Sequence, residues 1–297
     1  MPLVPITTLF QNALEQHYAL GYFESWNIES LQGTIDAAEK TRSPVVIGFN
    51  GEFLTHSGRV TQERIAWYGA LGRAAAESAS VPCGFIFNEC ASDRHLRQAV
   101  TAGFNLVMPA DPAVKYADYE QWTRALVDYA HPHGVGVEAE IGELPSGETG
   151  TISTAHSSLT DPDLAAHFAT STRVDLLSVS VGNVHILVQG AQPLDLDHLQ
   201  KIREKTGVPL GLHGGSGIDE ASLKEAIRLG VVKVNYGTYL KQAYLAAMRK
   251  ALETTETNPH RLLGMGGAED VLVSGRKAVR DSILERIEIL GCCGRAS

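Results

Sequence analysis

Short apolar runs alternate with longer helical patterns along most of this 297-residue chain. The runs are rich in Val, Ile, Leu and Phe, and each has the length of one strand that is buried on both faces. Such an alternation is typical of βα units built around a parallel sheet. The eight runs begin at Tyr18, Pro44, Val81, Leu106, Val135, Leu176, Val208 and Val231.

The helical segments between these runs match them in number. Eight strands with eight helices is the count of a (β/α)8 barrel, so we expect an α/β fold of the TIM-barrel class. A Rossmann sheet ranks second, because no G-x-G-x-x-G sequence follows an early strand. The predicted helices cover residues 28–40, 61–78, 93–102, 116–129, 161–170, 196–206, 220–229 and 239–252.

Two segments lie outside this repeat. Residues 143–158 are rich in Gly, Ser and Thr and follow the fifth predicted strand, so we expect a long loop at the active rim that acts as a lid. Residues 258–275 are predicted to form a loop, and residues 276–290 an extra C-terminal helix. We therefore expect one barrel domain over residues 1–297, with residues 258–297 as its C-terminal extension.

Composition narrows the functional classes. The chain carries 34 acidic and 25 basic residues, for a net charge of −9, and lacks the Lys/Arg cluster of a nucleic-acid-binding surface. No apolar run approaches the roughly 18 residues that span a bilayer, and the first residues lack a signal-peptide pattern. Four cysteines without metal-finger spacing fit a reduced protein. We expect a cytoplasmic protein that binds neither nucleic acid nor a membrane.

The segment VPLGLHGGSGID contains the most specific chemical signal. Its apolar run ends at His213, and the small residues 214–217 lead from there into a predicted helix. A strand-end histidine is placed to bind a metal ion. A Gly/Ser turn before a helix leaves backbone N–H groups for an anion such as phosphate. His185 ends a similar run 28 residues earlier, about one βα unit, so we expect both histidines at one rim.

The other strand ends are also rich in carboxylates and amides. In a (β/α)8 barrel these ends meet at the face where active sites lie. Two histidines and one carboxylate can hold a divalent ion that polarises a ketone and stabilises an enediolate. A Schiff-base mechanism needs a lysine in the barrel and ranks low, because only Lys233 lies on a predicted strand. The strand-end residues are Glu24, Asn50, Asn88, Glu89, Asp111, Glu138, Glu140, His185, His213 and Asn235.

The chain resembles the class II, metal-dependent fructose-bisphosphate/tagatose-bisphosphate aldolases over nearly its whole length. The motifs GNVH and HGGSG are specific, and GVGVEAEIGEL, DPDLAAHF and KVNYGT occur in the family's order and spacing. The resemblance implies a lyase that acts on a small sugar, normally a sugar phosphate, with a divalent metal cofactor. We expect Zn²⁺, with Mn²⁺ or Co²⁺ as alternatives, and a homodimer or homotetramer.

The resemblance also implies roles for individual residues. His185 and His213 are expected to be metal ligands, and Glu140 is similar to an acidic residue that contacts the metal in an alternative position. Glu148, in the loop segment SGETG, is expected to take part in proton transfer. Asn235 is expected to steady the enediolate. The residues expected to bind a substrate phosphate are Gly214, Ser216 and Thr238.

The third strand departs from the family pattern. It normally ends in Asp-His-Gly, which supplies a catalytic acid/base and a third metal ligand, whereas ungapped alignment places Asn88 on the aspartate and Glu89 on the histidine. Asparagine cannot accept a proton as a base. Glutamate can bind a metal, but it is a harder donor and removes one unit of positive charge relative to imidazole. We keep Asn88 as the residue at the catalytic position and Glu89 as the third metal ligand.

The phosphate-binding segment is changed as well. Ile186 stands where the family usually has a glycine near the phosphate, and Gln189 stands where a lysine is frequent. We therefore expect a weakened phosphate site, or a carboxylate or hydroxyl in its place. Gln189 and Asn50 complete the predicted substrate-binding residues.

Three functions fit these observations. The leading one is a metal-dependent lyase acting on a ketose or keto-acid sugar derivative other than fructose bisphosphate. The second is an isomerase or epimerase that uses the same enediolate, and the third is a non-catalytic sugar-phosphate-binding subunit. The convergence of five charged or ligating residues argues against the third. Without a base at Asn88, we predict poor cleavage of fructose 1,6-bisphosphate, with Glu148 as the substitute base.

Overall fold

A computed structural model of the chain describes residues 3–142, 144, 159–184 and 190–296. Within these residues, eight parallel strands form a closed barrel in chain order, in which β1 also pairs with β8. The prediction of a (β/α)8 barrel is confirmed. The strands are β1 (Leu20–Ser25), β2 (Val45–Asn50), β3 (Cys83–Cys90), β4 (Leu106–Pro109), β5 (Gly136–Ile141), β6 (Leu176–Val179), β7 (Leu210–Leu212) and β8 (Val231–Tyr236).

Every predicted helix is present, with ends that shift by five residues at most. Within the described residues, the structure adds three α-helices that were not predicted, at the amino terminus, after β2 and before the last helix. In chain order the helices are α1 (Ile6–Gln16), α2 (Ile28–Thr41), α3 (Gly51–Thr55), α4 (Ile65–Ser78), α5 (Asp93–Ala102), α6 (Tyr116–Ala130), α7 (Pro162–Thr172), α8 (Leu196–Thr206), α9 (Glu220–Arg228), α10 (Thr238–Ala251), α11 (Pro259–Leu262) and α12 (Val271–Ile287).

Helix α1 and the residues before it cover the amino-terminal end of the barrel. Asn105 Nδ2 donates to the carbonyl oxygen of Val4 at 2.7 Å. The side chain of Ile6 packs so closely that a Cβ on either Gly84 or Gly136 would lie 2.6 Å from it. This end is therefore closed by apolar packing, and the polar interior opens toward the carboxyl ends of the strands.

The last helix begins five residues before its predicted start. Asp270 caps it, accepting a hydrogen bond from the N–H of Leu272 at 3.0 Å. The same carboxylate accepts from the N–H groups of Gly264 and Gly266, at 2.8 and 2.9 Å, so a side chain buried in the preceding loop fixes the helix start. Helix α12 then packs against α2 and α10 on the outside of the barrel.

None of the helices in the described part of the chain is long and apolar enough to cross a membrane. The predicted lid over residues 143–158 lies outside the described residues, apart from Leu144. The predicted homo-oligomer and cytoplasmic location stay predictions.

Candidate active site

A cavity of about 1520 Å³ opens at the carboxyl ends of the strands. It brings together nine of the twelve residues that were predicted to act in catalysis, metal binding or substrate binding. The other three, Glu148, His185 and Gln189, lie outside the described residues. The predicted residues that line the cavity are Asn50, Asn88, Glu89, Glu140, His213, Gly214, Ser216, Asn235 and Thr238.

His213 lies at the centre of a carboxylate cluster. Its Nδ1 is 3.2 Å from Glu89 Oε1 and 3.5 Å from Glu140 Oε1, and its Nε2 is 3.1 Å from Glu138 Oε1. Burial by itself lowers the pKa of His213, but the carboxylates of Glu140, Glu138 and Glu89 outweigh burial and raise it to about 10. The imidazole is thus held between carboxylates on both of its nitrogens.

Two side chains below the cavity hold this histidine in place. Asn183 Nδ2 donates to the backbone oxygen of His213 at 3.0 Å. Glu138, which is fully buried, accepts from Ser178 Oγ at 2.8 Å and lies 2.8 Å from Lys233 Nζ. Burial is the largest single influence on the pKa of Glu138 and raises it, but Lys233 and His213 together outweigh burial and lower the pKa to about 2. A carboxylate on the far nitrogen of a histidine is the arrangement that orients metal-binding imidazoles.

Glu89 reaches this cluster through an unusual backbone conformation. Its φ is 53°, in the left-handed region that non-glycine residues rarely adopt, and the β3–β4 register shifts between Phe87 and Cys90. Asn50 Nδ2 donates to Glu89 Oε2 at 2.8 Å. Such strain is found most often at functional sites, where the surrounding structure imposes it.

The donor atoms near His213 are of the types that bind divalent metal ions, and two of their separations suit such an ion. Ligands at about 2.0–2.2 Å from a tetrahedral centre lie about 3.3–3.6 Å apart, close to the separations of the Glu89 and Glu140 oxygens from His213 Nδ1. The arrangement is not a preformed cage: among the described residues, no group of three or more His, Cys, Asp or Glu side chains surrounds a metal position. Here the carboxylates contact the imidazole itself.

Lys233 occupies the buried interior of the barrel next to this cluster. Its Nζ lies 2.8 Å from Glu138 Oε2, donates to Asn235 Oδ1 at 2.5 Å, and is 5.1 Å from the ring centroid of Tyr22. In these contacts the ammonium group is paired with a carboxylate and an amide oxygen and is not directed at the cavity as a free amine. They agree with the low rank given to a Schiff-base mechanism.

The HGGSG turn and the start of α10 form another side of the cavity. Gly214 has a φ of 69°, and a Cβ on Gly215 would lie 2.6 Å from Val234, so both positions require glycine. Helix α10 begins at Thr238 without a side-chain cap on its first N–H groups. Uncapped N–H groups at a helix start attract anions.

A lysine that the sequence analysis missed lies beside this helix start. Lys241 Nζ is 2.5 Å from Glu24 Oε1 and 4.0 Å from the ring centroid of Phe53. Among the described residues that line the cavity, Lys241 is the only lysine or arginine. Its position three residues after Thr238, in the first turn of a predicted helix, was the available signal.

A parallel barrel with a histidine–carboxylate cluster in a cavity at its open end is an arrangement found in many enzymes that act on small molecules. The family model described as fructose-bisphosphate aldolase class-II matches residues 4–295. The chain belongs to the class II fructose-bisphosphate aldolase family. Membership supports an aldolase-type lyase, and the resemblance noted in the sequence is confirmed.

Individual relatives agree with this assignment. The chain is 33% identical over 285 residues to the uncharacterized protein YdjI of Escherichia coli K12, covering 96% of each chain. A crystal structure of the YdjI aldolase superposes with a TM-score of 0.83 and 32% identity, covering 99% of this chain and 100% of that one. The sulfofructosephosphate aldolase of Alkalicoccus urumqiensis is 28% identical over 290 residues, covering 97% of this chain and 96% of the relative.

A more distant structure shows the fold alone. It belongs to a putative fructose-1,6-biphosphate aldolase from Coccidioides immitis, and it matches with a TM-score of 0.82 and 24% identity over 98% of both chains.

Proposed function

We propose that the protein is a metal-dependent aldolase-type lyase that cleaves or forms a carbon–carbon bond in a phosphorylated ketose or keto-acid sugar derivative. The observation that carries this proposal is the approach of Glu89 and Glu140 to Nδ1 of His213, at 3.2 and 3.5 Å, in the cavity at the strand ends. In such barrels, functional groups at this face serve catalysis. Membership of the class II family supports the same type of reaction.

Glu89, Glu140 and His213 are the described residues that would hold the ion, and we propose His185 as the second imidazole ligand. The ion is proposed to be Zn²⁺, with Mn²⁺ or Co²⁺ as alternatives because oxygen donors suit harder ions. When bound, a divalent ion polarises a substrate carbonyl and stabilises the negative charge that develops on its oxygen. Glu138 orients the imidazole of His213 from the opposite nitrogen.

Asn88 and Asn235 present buried amide groups to the substrate. Asn88 Oδ1 and Asn235 Nδ2 have no hydrogen-bond partner among the described residues, and both side chains line the cavity. Each can hydrogen-bond a substrate oxygen or hydroxyl. Cleavage also needs a base for the hydroxyl beside the breaking bond, which an amide cannot supply, and we propose Glu148 for this step.

The phosphate is proposed to bind between the HGGSG turn and the start of α10. Gly214, Ser216 and Thr238 line this side of the cavity, and Lys241 supplies a positive charge there. We propose that Gln189 contacts the same end of the substrate. Because Glu24 already pairs with Lys241, a phosphate has to compete with a carboxylate for the ammonium group.

Metal analysis and product analysis together test the proposed function. Protein purified without chelator is expected to contain about one divalent ion per chain. With that ion, it should convert a member of a panel of phosphorylated ketoses and keto acids into two smaller carbonyl compounds, detected by NMR. His213→Ala should lose both the metal and turnover, whereas His167→Ala, on the outer surface of α7, should keep both.

Two outcomes contradict the proposal. A product with the same formula as the substrate would identify an isomerase or epimerase. Full metal content and full activity in His213→Ala would remove the metal assignment.

The base is tested by paired substitutions. Glu148→Gln should keep the metal and ligand binding but lose turnover by about 10²–10⁴-fold, the usual contribution of a general base. Asn88→Asp should raise the low cleavage of fructose 1,6-bisphosphate that we expect of the unmodified protein. A fully active Glu148→Gln, or rapid fructose-bisphosphate cleavage by the unmodified protein, would rule out this assignment.

A further inference from the structure

Tyr22 and Asn235 lie side by side at the floor of the cavity. They are register partners on the neighbouring strands β1 and β8, and both line the cavity. Tyr22 is 2% exposed and Asn235 is 8% exposed. The hydroxyl of Tyr22 and Nδ2 of Asn235 have no hydrogen-bond partner among the described residues. Two adjacent buried polar groups are therefore left for a partner that comes from the cavity.

Lys233 orients both the amide of Asn235 and the ring of Tyr22. An ammonium group can only donate, so its 2.5 Å contact must be with the oxygen of the Asn235 amide. The NH₂ group of Asn235 consequently faces away from Lys233 as a donor. The same ammonium lies 5.1 Å from the ring centroid of Tyr22, where a cation–π contact helps to hold the ring and its hydroxyl in position.

The Tyr22 hydroxyl keeps its proton under ordinary conditions. Burial raises the pKa of Tyr22 well above its usual value, and the charges of Glu24, Glu89 and Glu138 raise it further. A buried hydroxyl without a partner destabilises the protein that contains it. A phenylalanine would fill nearly the same space without this cost, so the hydroxyl contributes to the packing only a penalty that a ligand can remove.

We propose that the hydroxyl of Tyr22 is a second donor beside the NH₂ group of Asn235, the residue already expected to steady the enediolate, and that it donates a hydrogen bond to the substrate oxygen that becomes negatively charged during the reaction. This inference rests on the proposed function. When the bond between the α and β carbons of the ketone breaks, its electron pair forms a C=C bond between the carbonyl carbon and the α carbon, and the π pair of the carbonyl moves onto oxygen. The hydroxyl on the β carbon gives its proton to the base, and that carbon leaves as the carbonyl carbon of an aldehyde. Tyr22 and Asn235 keep their protons throughout.

The surroundings explain why such donors are needed. Five carboxylates line the described part of the cavity, and Lys241 is the only lysine or arginine there, so these side chains oppose a developing oxyanion and donors are needed in addition to the proposed divalent ion. Prearranged donors shielded from water stabilise such a charge strongly. The cavity carboxylates are Glu24, Glu52, Glu89, Asp111 and Glu140.

Solvent exchange in the metal-loaded protein tests the pair without knowledge of the aldehyde product. Dihydroxyacetone phosphate and dihydroxyacetone are the probes, and NMR follows the replacement of their carbon-bound hydrogens by deuterium from D₂O. Tyr22→Phe should lower the maximal exchange rate by about 10²–10³-fold, the usual effect of losing one oxyanion donor, with little change in the probe's KM. Metal content should stay unchanged.

Thermal unfolding gives a readout that is independent of catalysis. Because Tyr22→Phe removes an unpaired hydroxyl, the ligand-free variant should melt about 1–4 °C higher than the unmodified protein. Tyr236→Phe is the matched control. Tyr236 also borders the cavity, but its buried hydroxyl, which has no described partner, lies near Arg286 and Cys292, and its ring stacks on Phe23. That variant should exchange normally.

The outcomes separate this inference from the proposed function. Exchange by the unmodified protein that persists at full rate in Tyr22→Phe would overturn the role of Tyr22 and leave the lyase proposal intact. Lower thermal stability in Tyr22→Phe would also overturn it, since it would mean that the hydroxyl has a structural partner. No exchange of either probe by the unmodified protein would count against a ketose as the substrate in the proposed function, and the inference, which is argued for that reaction, would fall with it.

Discussion

Two lysine–glutamate pairs lie near the open end of this barrel, and they differ in almost everything except their chemistry. Lys233 and Glu138 are 2.8 Å apart in the interior, and both side chains are 0% exposed. Lys241 and Glu24 are 2.5 Å apart at the rim, with 32% and 9% of their side chains exposed. The first pair is surrounded by protein and the second faces the cavity.

The interior pair orients two side chains of the candidate site. Glu138 contacts Nε2 of His213, and Lys233 donates to Asn235 Oδ1, so one ion pair orients a proposed metal ligand and a proposed oxyanion donor. A buried pair gains little stability over well-packed apolar residues, because desolvation offsets the attraction. Its main effect here is to fix positions.

In the rim pair, a substrate anion can replace the carboxylate of Glu24 as the partner of Lys241. Lys241 is reachable from the cavity, and its partner Glu24 lies against the turn that begins α10, where a Cβ on Gly237 would be 2.5 Å from Glu24 Oε2. A partly exposed pair contributes little to stability, so a substrate anion can replace the carboxylate at small cost. The comparison teaches that burial, and not the residue types, separates a positioning pair from a binding pair.

Removing the interior lysine should have the largest effect on stability. Lys233→Met leaves the carboxylate of Glu138 buried without its cation, and the free energy of unfolding should fall by about 3–5 kcal/mol. Lys241→Met, the matched rim variant, should cost at most about 1 kcal/mol. Urea unfolding followed by circular dichroism measures both values. Equal losses in the two variants would show that burial does not distinguish the pairs.

Changing the rim pair should have the smaller effect, and it should appear in substrate binding. Lys241→Met should raise the KM for a phosphorylated substrate about tenfold with a nearly unchanged kcat, equivalent to about 1.4 kcal/mol of uniform binding. Glu24→Gln should lower that KM several-fold, because the phosphate no longer competes with a carboxylate. Steady-state kinetics, with inorganic phosphate as a competitor, test both variants. An unchanged KM in both would remove Lys241 from the binding site.

Much of the fold follows from local patterns in the sequence. The predicted strands coincide with the observed ones to within a few residues. Runs of Val, Ile and Phe bounded by Gly and Pro favour a β-strand, and this preference depends only on residues that are close together in the sequence. Asp93–Ala102 and Leu196–Thr206 form helices with the predicted bounds for the same reason. Helix α12 starts early because Asp270 is held by a loop that periodicity does not detect.

The sequence also identified most of the cavity residues, since the carboxyl ends of parallel strands meet at one face whatever their separation along the chain. His213, Glu140 and Asn235 all line the described cavity. The position of a residue at a strand end does not predict which atoms of the site contact one another. That Asn50 donates to Glu89, and that Glu89 adopts a left-handed backbone, depend on the local register shift at the end of β3.

The sequence by itself thus determined the barrel, its open face and the residue types at that face, because strand period, helix period and short motifs are local properties of the chain. Only the tertiary structure decided the pairings that give these residues their roles. Tyr22 meets Asn235, and Lys241 meets Glu24, because β1 closes the barrel against β8. Such contacts join residues more than 200 positions apart in the chain. No local pattern encodes them, since they arise only when the sheet closes on itself and its buried charges must find partners.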